Sequence, residues 1–223
     1  MPRVLIVGEQ SYKSAFDTNI WSISCIPWEV TDETLLRSEI EFADLICLTG
    51  GEDIYPVMYG ASPVLGSDPH QYNMDRDNYE KRIYIIAKHQ DKPFVGICRG
   101  AQFLNVMNGG YMVQDMDGHH GSHMAFSYTD PSYGISVSSD HHQMMVPNYE
   151  RAEVLLIAGE SHGINPPEMI FKLEETDQGY TDPEVILYRK TKDLCHQPHP
   201  EWVDKGSPYW NYFNYTVNKL MEL

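Results

Sequence analysis

The stretch 92–104, Lys-Pro-Phe-Val-Gly-Ile-Cys-Arg-Gly-Ala-Gln-Phe-Leu, constrains the fold more than any other part of the chain. Phe94-Val95-Gly96-Ile97 is short and apolar, follows a proline and reads as a buried strand. Beyond it, Ala101, Phe103, Leu104 and Met107 change to helical spacing. Cys98 therefore falls on a tight turn from strand to helix, with Gly96 and Gly100 two residues to either side. Such a turn strains the backbone, needs small flanking residues and lifts its side chain at the carboxyl edge of a sheet. That is the geometry of a nucleophile elbow, with cysteine in place of serine. The amino end of the next helix offers free N–H groups and a positive partial charge, and both favour a thiolate. A structural cysteine buried at a strand end is the plainer reading of the same residues.

Composition narrows the rest. The 223 residues suit one domain, 1–223, with ample core and no need of disulfides. A net charge of −16 argues against nucleic acid and against an anionic membrane surface, and fits a protein acting on small molecules. The four cysteines, Cys25, Cys47, Cys98 and Cys195, are widely spaced and form no CxxC pair. With no basic region leading into a long apolar stretch at the N-terminus, the expectation is a reducing, cytoplasmic setting. No apolar run reaches transmembrane length.

In chain order, Arg3 to Gly8 reads as a first strand, apolar throughout as in the middle of a parallel sheet. Glu9 to Asn19 is polar, a loop or short helix. Trp21 to Pro27 reads as a second strand, and Thr31 or Asp32 caps a helix. Asp44 to Thr49 is a third strand running into Gly50-Gly51, a pair that permits close backbone approach to a ligand. Gly60 to Asn73 is loop-like. Asp75 to Gln90 has Tyr79, Ile83, Ile86 and Ala87 at helical spacing, which places Asp75, Arg76, Asp77, Glu80 and Arg82 on the other side, mostly as a solvated face. The elbow helix stops at Asn108-Gly109-Gly110. This alternation of strand and helix predicts an α/β sheet with helices on both faces.

The second half is less regular. Gln114 to Tyr133 carries His119, His120 and His123; without cysteines or paired carboxylates nearby it reads as a mobile flap rather than a metal site. Strands are expected at 133–137, 151–158, 169–173 and 183–188, and Tyr209 to Leu223 reads as a closing helix. His199-Pro200-Glu201 is the second informative stretch. In an extended segment, residues two apart face the same side, and Pro200 stiffens that geometry. A carboxylate beside a histidine sets its tautomer and stabilises its imidazolium, leaving the other nitrogen for a nucleophile. Alone this is an ordinary surface turn; with Cys98 on an elbow, a cysteine–histidine–glutamate relay is the economical hypothesis.

Five stretches together resemble the class I glutamine amidotransferase-like superfamily, and most closely its free-standing gamma-glutamyl hydrolases, the branch that includes gamma-glutamyl-gamma-aminobutyrate hydrolase. They are Thr49 to Pro56 with Tyr59-Gly60; Asp75-Arg76-Asp77 with Glu80; Gly96 to Gln102 with Asn105-Val106 and Gly109-Gly110; Ser138 to Gln143; and His199 to Trp202. The resemblance implies a three-layer αβα sandwich with a mostly parallel, flavodoxin-like central sheet. It implies Cys98 as nucleophile, His199 as base and Glu201 as its orienter. It further implies the backbone N–H groups of Gly51 and Arg99 as the oxyanion hole, and Gln102, His141 and Gln143 as holders of the glutamyl end, with no cofactor or metal.

The chain departs from the family pattern at Thr49, where proline is usual, at Ser138, where asparagine is common, and at Pro198, where an aromatic residue usually precedes the histidine. The leading expectation is hydrolysis of a small gamma-glutamyl amide through a thioester. The alternatives are a glutaminase subunit feeding a synthetase partner, and a non-catalytic scaffold. The leaving amine and any homo-oligomeric state are not legible.

Overall fold

The computed structural model describes residues 1–63, 72–116, 119–159 and 182–222. Its elements in chain order are β1 (Arg3–Val7), a 3₁₀ turn (Gln10–Ala15), β2 (Ser22–Ile26), α1 (Glu33–Phe42), β3 (Leu45–Leu48), a 3₁₀ turn (Pro56–Tyr59) and α2 (Met74–Lys88). Then follow β4 (Phe94–Ile97), α3 (Arg99–Met107), β5 (Tyr111–Val113), β6 (His120–Ser127), β7 (Gly134–Asp140) and β8 (Met144–Val146). β9 (Glu153–Ala158), β10 (Pro183–Tyr188), β11 (Asp193–His196), a 3₁₀ turn (Pro200–Trp202) and α4 (Pro208–Leu220) complete the order. The strand expected at 169–173 lies outside the described residues.

Nine strands form one sheet in the order β2-β1-β3-β4-β11-β10-β9-β6-β7, with β5 and β8 as a separate pair. The block from β2 to β11 is parallel throughout. From β11 onward the pairing is antiparallel to the far edge. The fold is thus α/β, around a parallel sheet extended by a meander.

The continuous apolar runs follow from burial on both faces. Along β1, Leu5 and Val7 join the core under α1, α2 and α3, with Leu36, Ile40, Ile83 and Phe103. Val4 and Ile6 point the other way, into a core with Phe16, Phe213 and Val217 beneath α4. Alternate side chains of one strand so feed two cores, which is what helices on both faces require. Local signals start the helices: Asp32 accepts from the backbone N–H groups of Thr34 and Leu35, Asn73 from Arg76, and Ser207 from Trp210.

Two expectations are corrected. Residues 119–133 are not a flap: His120–Ser127 is β6, paired with both β7 and β9. Asp193–His196, unassigned from sequence, is β11, a central strand between β4 and β10. Its polar ends are satisfied from afar. Asp193 accepts from the Tyr84 hydroxyl at 2.7 Å and from Asn108 at 2.8 Å and pairs with Lys88, while His196 meets Tyr209 and Thr216, each at 3.1 Å.

Candidate active site

The carboxyl ends of three adjacent parallel strands build the site. In register, Leu48 of β3 lies beside Gly96 of β4, and His196 of β11 beside Ile97. The loops after β3, β4 and β11 therefore emerge at one edge and bring Gly50-Gly51, Cys98 and His199 together. This edge is where open α/β sheets hold ligands.

Cys98 has φ 51° and ψ −113°, a left-handed conformation for a residue with a side chain. Such a conformation costs on the order of 1–3 kcal/mol and persists only where the surroundings impose it. Here the Cys98 N–H donates to His196 O at 2.8 Å, and its carbonyl accepts from Gln102 N at 3.1 Å. Both flanking glycines are required by space. A Cβ at Gly96 would lie 2.3 Å from the Gly100 backbone, and one at Gly100 would lie 2.2 Å from Leu48 O. The turn read from sequence is thus present, and Cys98 is 6% exposed at its tip.

His199 Nδ1 meets Glu201 Oε1 at 2.6 Å, with both side chains buried. Its Nε2 makes no hydrogen bond. Burial works against charge on His199, but interaction with Cys98 and Glu201 outweighs it and pushes the pKa up to about 9. The imidazolium is therefore the favoured form of His199. The backbone is clamped by Ser138, whose hydroxyl donates to His199 O at 2.6 Å and whose carbonyl accepts from His199 N at 3.1 Å. Trp202 stacks on the ring at 3.7 Å, with the planes 4° apart. Pro198, the departure before the histidine, leaves its carbonyl to accept from the Tyr209 hydroxyl at 3.2 Å. Ser138, the departure on the facing strand, supplies the clamp.

The glycine loop is packed from both sides. Gly50 N donates to the Tyr12 hydroxyl at 3.0 Å; a Cβ at Gly50 would collide with that oxygen and press on His199 and Cys98. Burial, with the nearby charges of Glu201 and Cys98, pushes the Tyr12 pKa up. Gly51 has φ 144°, and a Cβ there would lie 2.1 Å from the Arg76 guanidinium. Arg99 is the first residue of α3, where a backbone N–H has no intrahelical carbonyl to bond. The two N–H groups expected as an oxyanion hole therefore belong to the glycine loop and to the first residue of α3, at the Cys98 edge.

Below that loop, the expectation of a solvated charged face on α2 is corrected in part. Asp75 and Arg82 are exposed, but Arg76, Asp77 and Glu80 are buried. Arg76 donates to Gly50 O at 2.8 Å, Thr49 O at 3.1 Å and Glu80 at 3.0 Å, and reaches Glu52 at 3.0 Å. Arg99 pairs with both Glu80 and Asp77, and Asp77 also accepts from Tyr55 N at 3.0 Å. Thr49 Oγ1 also lies 3.3 Å from Arg76. Glu80 thus ties the glycine loop to the elbow helix. Apolar periodicity locates only the side of a helix that meets apolar partners, so it is blind to this second buried face.

The three residues expected to hold a substrate also converge. Gln102 Nε2 donates to Gln143 O and to Gln197 Oε1, each at 3.3 Å, and His141 Nδ1 meets the same Gln143 O at 2.8 Å. The Gln143 side-chain amide makes no hydrogen bond, nor does Gln197 Nε2. Buried amides with unmet capacity suit a polar ligand. Burial holds the His141 pKa down at about 4, so its imidazole is neutral. Gln197 is missed by sequence reasoning, though it stands two residues before His199, on the strand end that delivers it.

Of the histidine trio, His120 is exposed and meets Asp140 at 2.7 Å, while His119 and His123 turn inward to Asp182 and Glu184. Those carboxylates lie some sixty residues away in sequence, so local spacing gives no sign of them. All four cysteines are free thiols. Among the described residues no helix is long and apolar enough to cross a membrane.

Comparison with known proteins places this geometry. The chain is 34% identical over 110 residues to the glutamine amidotransferase-like protein YvdE of Lactococcus lactis subsp. lactis, covering 48% of this chain and 44% of that one. It thus spans about half the length of the curated relatives it matches. A Thermoplasma acidophilum protein described as one of the subunits of GMP synthase superposes with a TM-score of 0.65 at 13% identity, over 100% of this chain and 94% of that one. A glutamine amidotransferase from Thermotoga maritima gives 0.57 at 17% identity, over 98% and 82%. At such identities these structures speak for the fold. The family model that matches, over residues 9–165, is Peptidase C26, and the chain belongs to that family within the class I glutamine amidotransferase-like superfamily.

Proposed function

We propose that the chain is a cysteine-dependent hydrolase that cleaves the gamma-glutamyl amide bond of a small gamma-glutamyl compound, as in the gamma-glutamyl hydrolase branch. The observation that carries this reading is the strained Cys98 elbow set beside the His199–Glu201 pair. His199 takes the Cys98 thiol proton, and Glu201 holds its Nδ1 and offsets the imidazolium charge. Cys98 Sγ attacks the amide carbonyl, whose oxygen becomes negative and is met by the N–H groups of Gly51 and Arg99. The C–N bond breaks as His199 protonates the leaving amine, and a thioester remains on Cys98. Water, deprotonated by His199, then attacks the thioester, and glutamate and the thiol are released. Gln102, His141 and Gln143, with Gln197, hold the amino-acid end of the glutamyl group.

The test is glutamate release from a panel of gamma-glutamyl amides and from glutamine, beside Cys98→Ala. Expected is release from at least one amide, lowered roughly 10⁴-fold or more in the variant. Equal release by the variant, or none from any amide by folded protein, would reject the reading. A second reading, a glutaminase that serves a separate synthetase, is favoured by the likeness to the GMP synthase component. It predicts turnover of glutamine only once a partner is added.

A further inference from the structure

The inward-facing histidines form a second constellation that the hydrolytic machinery does not use. β6 pairs with β9 only from Ala125 onward, where its partner Ala158 ends β9. Residues 119–123 therefore run past the end of β9 and reach the start of β10. His119 and His123 are four apart and share one side of the extended chain, and Asp182 and Glu184 are two apart and share another. The ligand atoms of His119, His123 and Glu184 lie within 4.8 Å of one another. Glu184 Oε1 is 3.2 Å from His119 Nδ1 and 2.8 Å from His123 Nε2. In a tetrahedral zinc site, with bonds near 2.0–2.1 Å, ligand atoms stand about 3.4 Å apart, so the pairs need to open by only a few tenths of an ångström.

A third histidine lies beside this group. His141 packs against His119, with ring centroids 4.6 Å apart. Its Nδ1 donates to Gln143 O, which leaves the lone pair on Nε2; that atom is buried and makes no hydrogen bond. Glu184 Oε2 is likewise buried and without a partner. The outer contacts follow the pattern that orients metal-bound histidines. Asp182 Oδ2 lies 3.3 Å from the far nitrogen of His119.

We propose that His119, His123 and Glu184 bind one divalent transition-metal ion of the zinc class, fastening β6 to β10. Two imidazoles and a carboxylate suit zinc over magnesium or calcium, which take all-oxygen sites. Three protein ligands leave the fourth position of a tetrahedral ion to water. The site is independent of the hydrolase reading, and its test reads metal rather than turnover.

The full chain is incubated with zinc chloride, passed through gel filtration and assayed for metal. Expected is about one zinc per chain, retained by Cys98→Ala and lost from His123→Ala and Glu184→Gln. Asp182→Asn, which touches no metal, should weaken binding by about 10- to 100-fold. Metal-free wild type, zinc kept in full by His123→Ala, or zinc lost with Cys98→Ala would overturn the assignment. Should the ligand variants fail to fold, wild type with cobalt(II) decides. Tetrahedral visible bands without thiolate charge transfer support the site; no bands, or a thiolate signature, overturn it.

Discussion

Two buried charged clusters flank the edge that carries Cys98, and they differ in how completely they are closed. Under the glycine loop, Arg76 and Arg99 face Asp77 and Glu80, and nearly every polar atom of the four is engaged; only Arg99 Nε lacks a hydrogen bond. Beside the 141–143 segment, the histidine cluster leaves His141 Nε2 and Glu184 Oε2 open. Burial differs little apart from His123, but duty differs. A cluster whose charges and donors balance serves as a frame, here joining the loop after β3 to the first turn of α3 through Glu80. A cluster with buried atoms left over has capacity for something else.

The frame reading is broken most directly at Glu80. Glu80→Ala removes the shared partner of two buried guanidinium groups, and removing one side of a buried pair costs about 3–5 kcal/mol. Urea denaturation should show a loss of that order, with residual activity falling as the glycine loop is released. A loss below about 1 kcal/mol would mean that the frame relaxes without cost and positions nothing.

The His199–Glu201 pair gives the next effect, as a pH window. The folded pKa of His199 is raised from 6.5 to about 9. A raised basic group contributes stability that is complete below the unfolded pKa and is lost as pH rises through the folded one. Wild type should therefore lose on the order of 1–3 kcal/mol between pH 6.5 and about 9. Glu201→Gln, deprived of the carboxylate, should lose less over the same window. Parallel profiles for the two proteins would show that the pair is not coupled to folding.

Ser138→Ala comes third. It deletes the 2.6 Å bond to His199 O and leaves a buried carbonyl short of a donor, a cost of about 1–3 kcal/mol. If the clamp aims the histidine, kcat should fall more than KM rises, whereas an effect on stability alone would limit Ser138 to packing.

These sites differ in how far the sequence discloses them. Cys98 is legible because its requirement is local: a strand, a turn and a helix within a dozen residues, with glycines where any side chain would strike Gly100 or Leu48. His199 and Glu201 are legible because two residues of extended chain suffice to pair them. β11 is not, since Asp193 and His196 suggest a loop until the partners that satisfy them arrive from α2, α3 and α4. The strand character of β6 is hidden by its histidines and glycine for the same reason: Asp182 and Glu184 belong to a distant part of the chain. What a short window cannot carry is the identity of long-range polar partners, and both clusters depend on them.

The sharpest form of that lesson, and the smallest effect, lies within α2 itself. Arg76 and Arg82 are the same residue type on one helix, and each is paired with a carboxylate. Arg82 reaches Glu33 of α1 with 44% of its side chain exposed, and Glu33 also pairs with Arg37. Water screens both partners, and each long side chain loses rotamer freedom when held, so exposed pairs contribute about 0–1 kcal/mol. Arg82→Ala should therefore shift the urea midpoint little, by about 0.5 kcal/mol or less in stability. Arg76→Ala, which removes one of the two guanidinium partners of Glu80 and releases two backbone carbonyls of the glycine loop, should cost several-fold more. Equal losses would mean that the charge on α2, rather than its burial, sets the energetics. A difference would locate the stabilisation in the face that joins loop to elbow, where an arginine is held by carbonyls as well as by carboxylates.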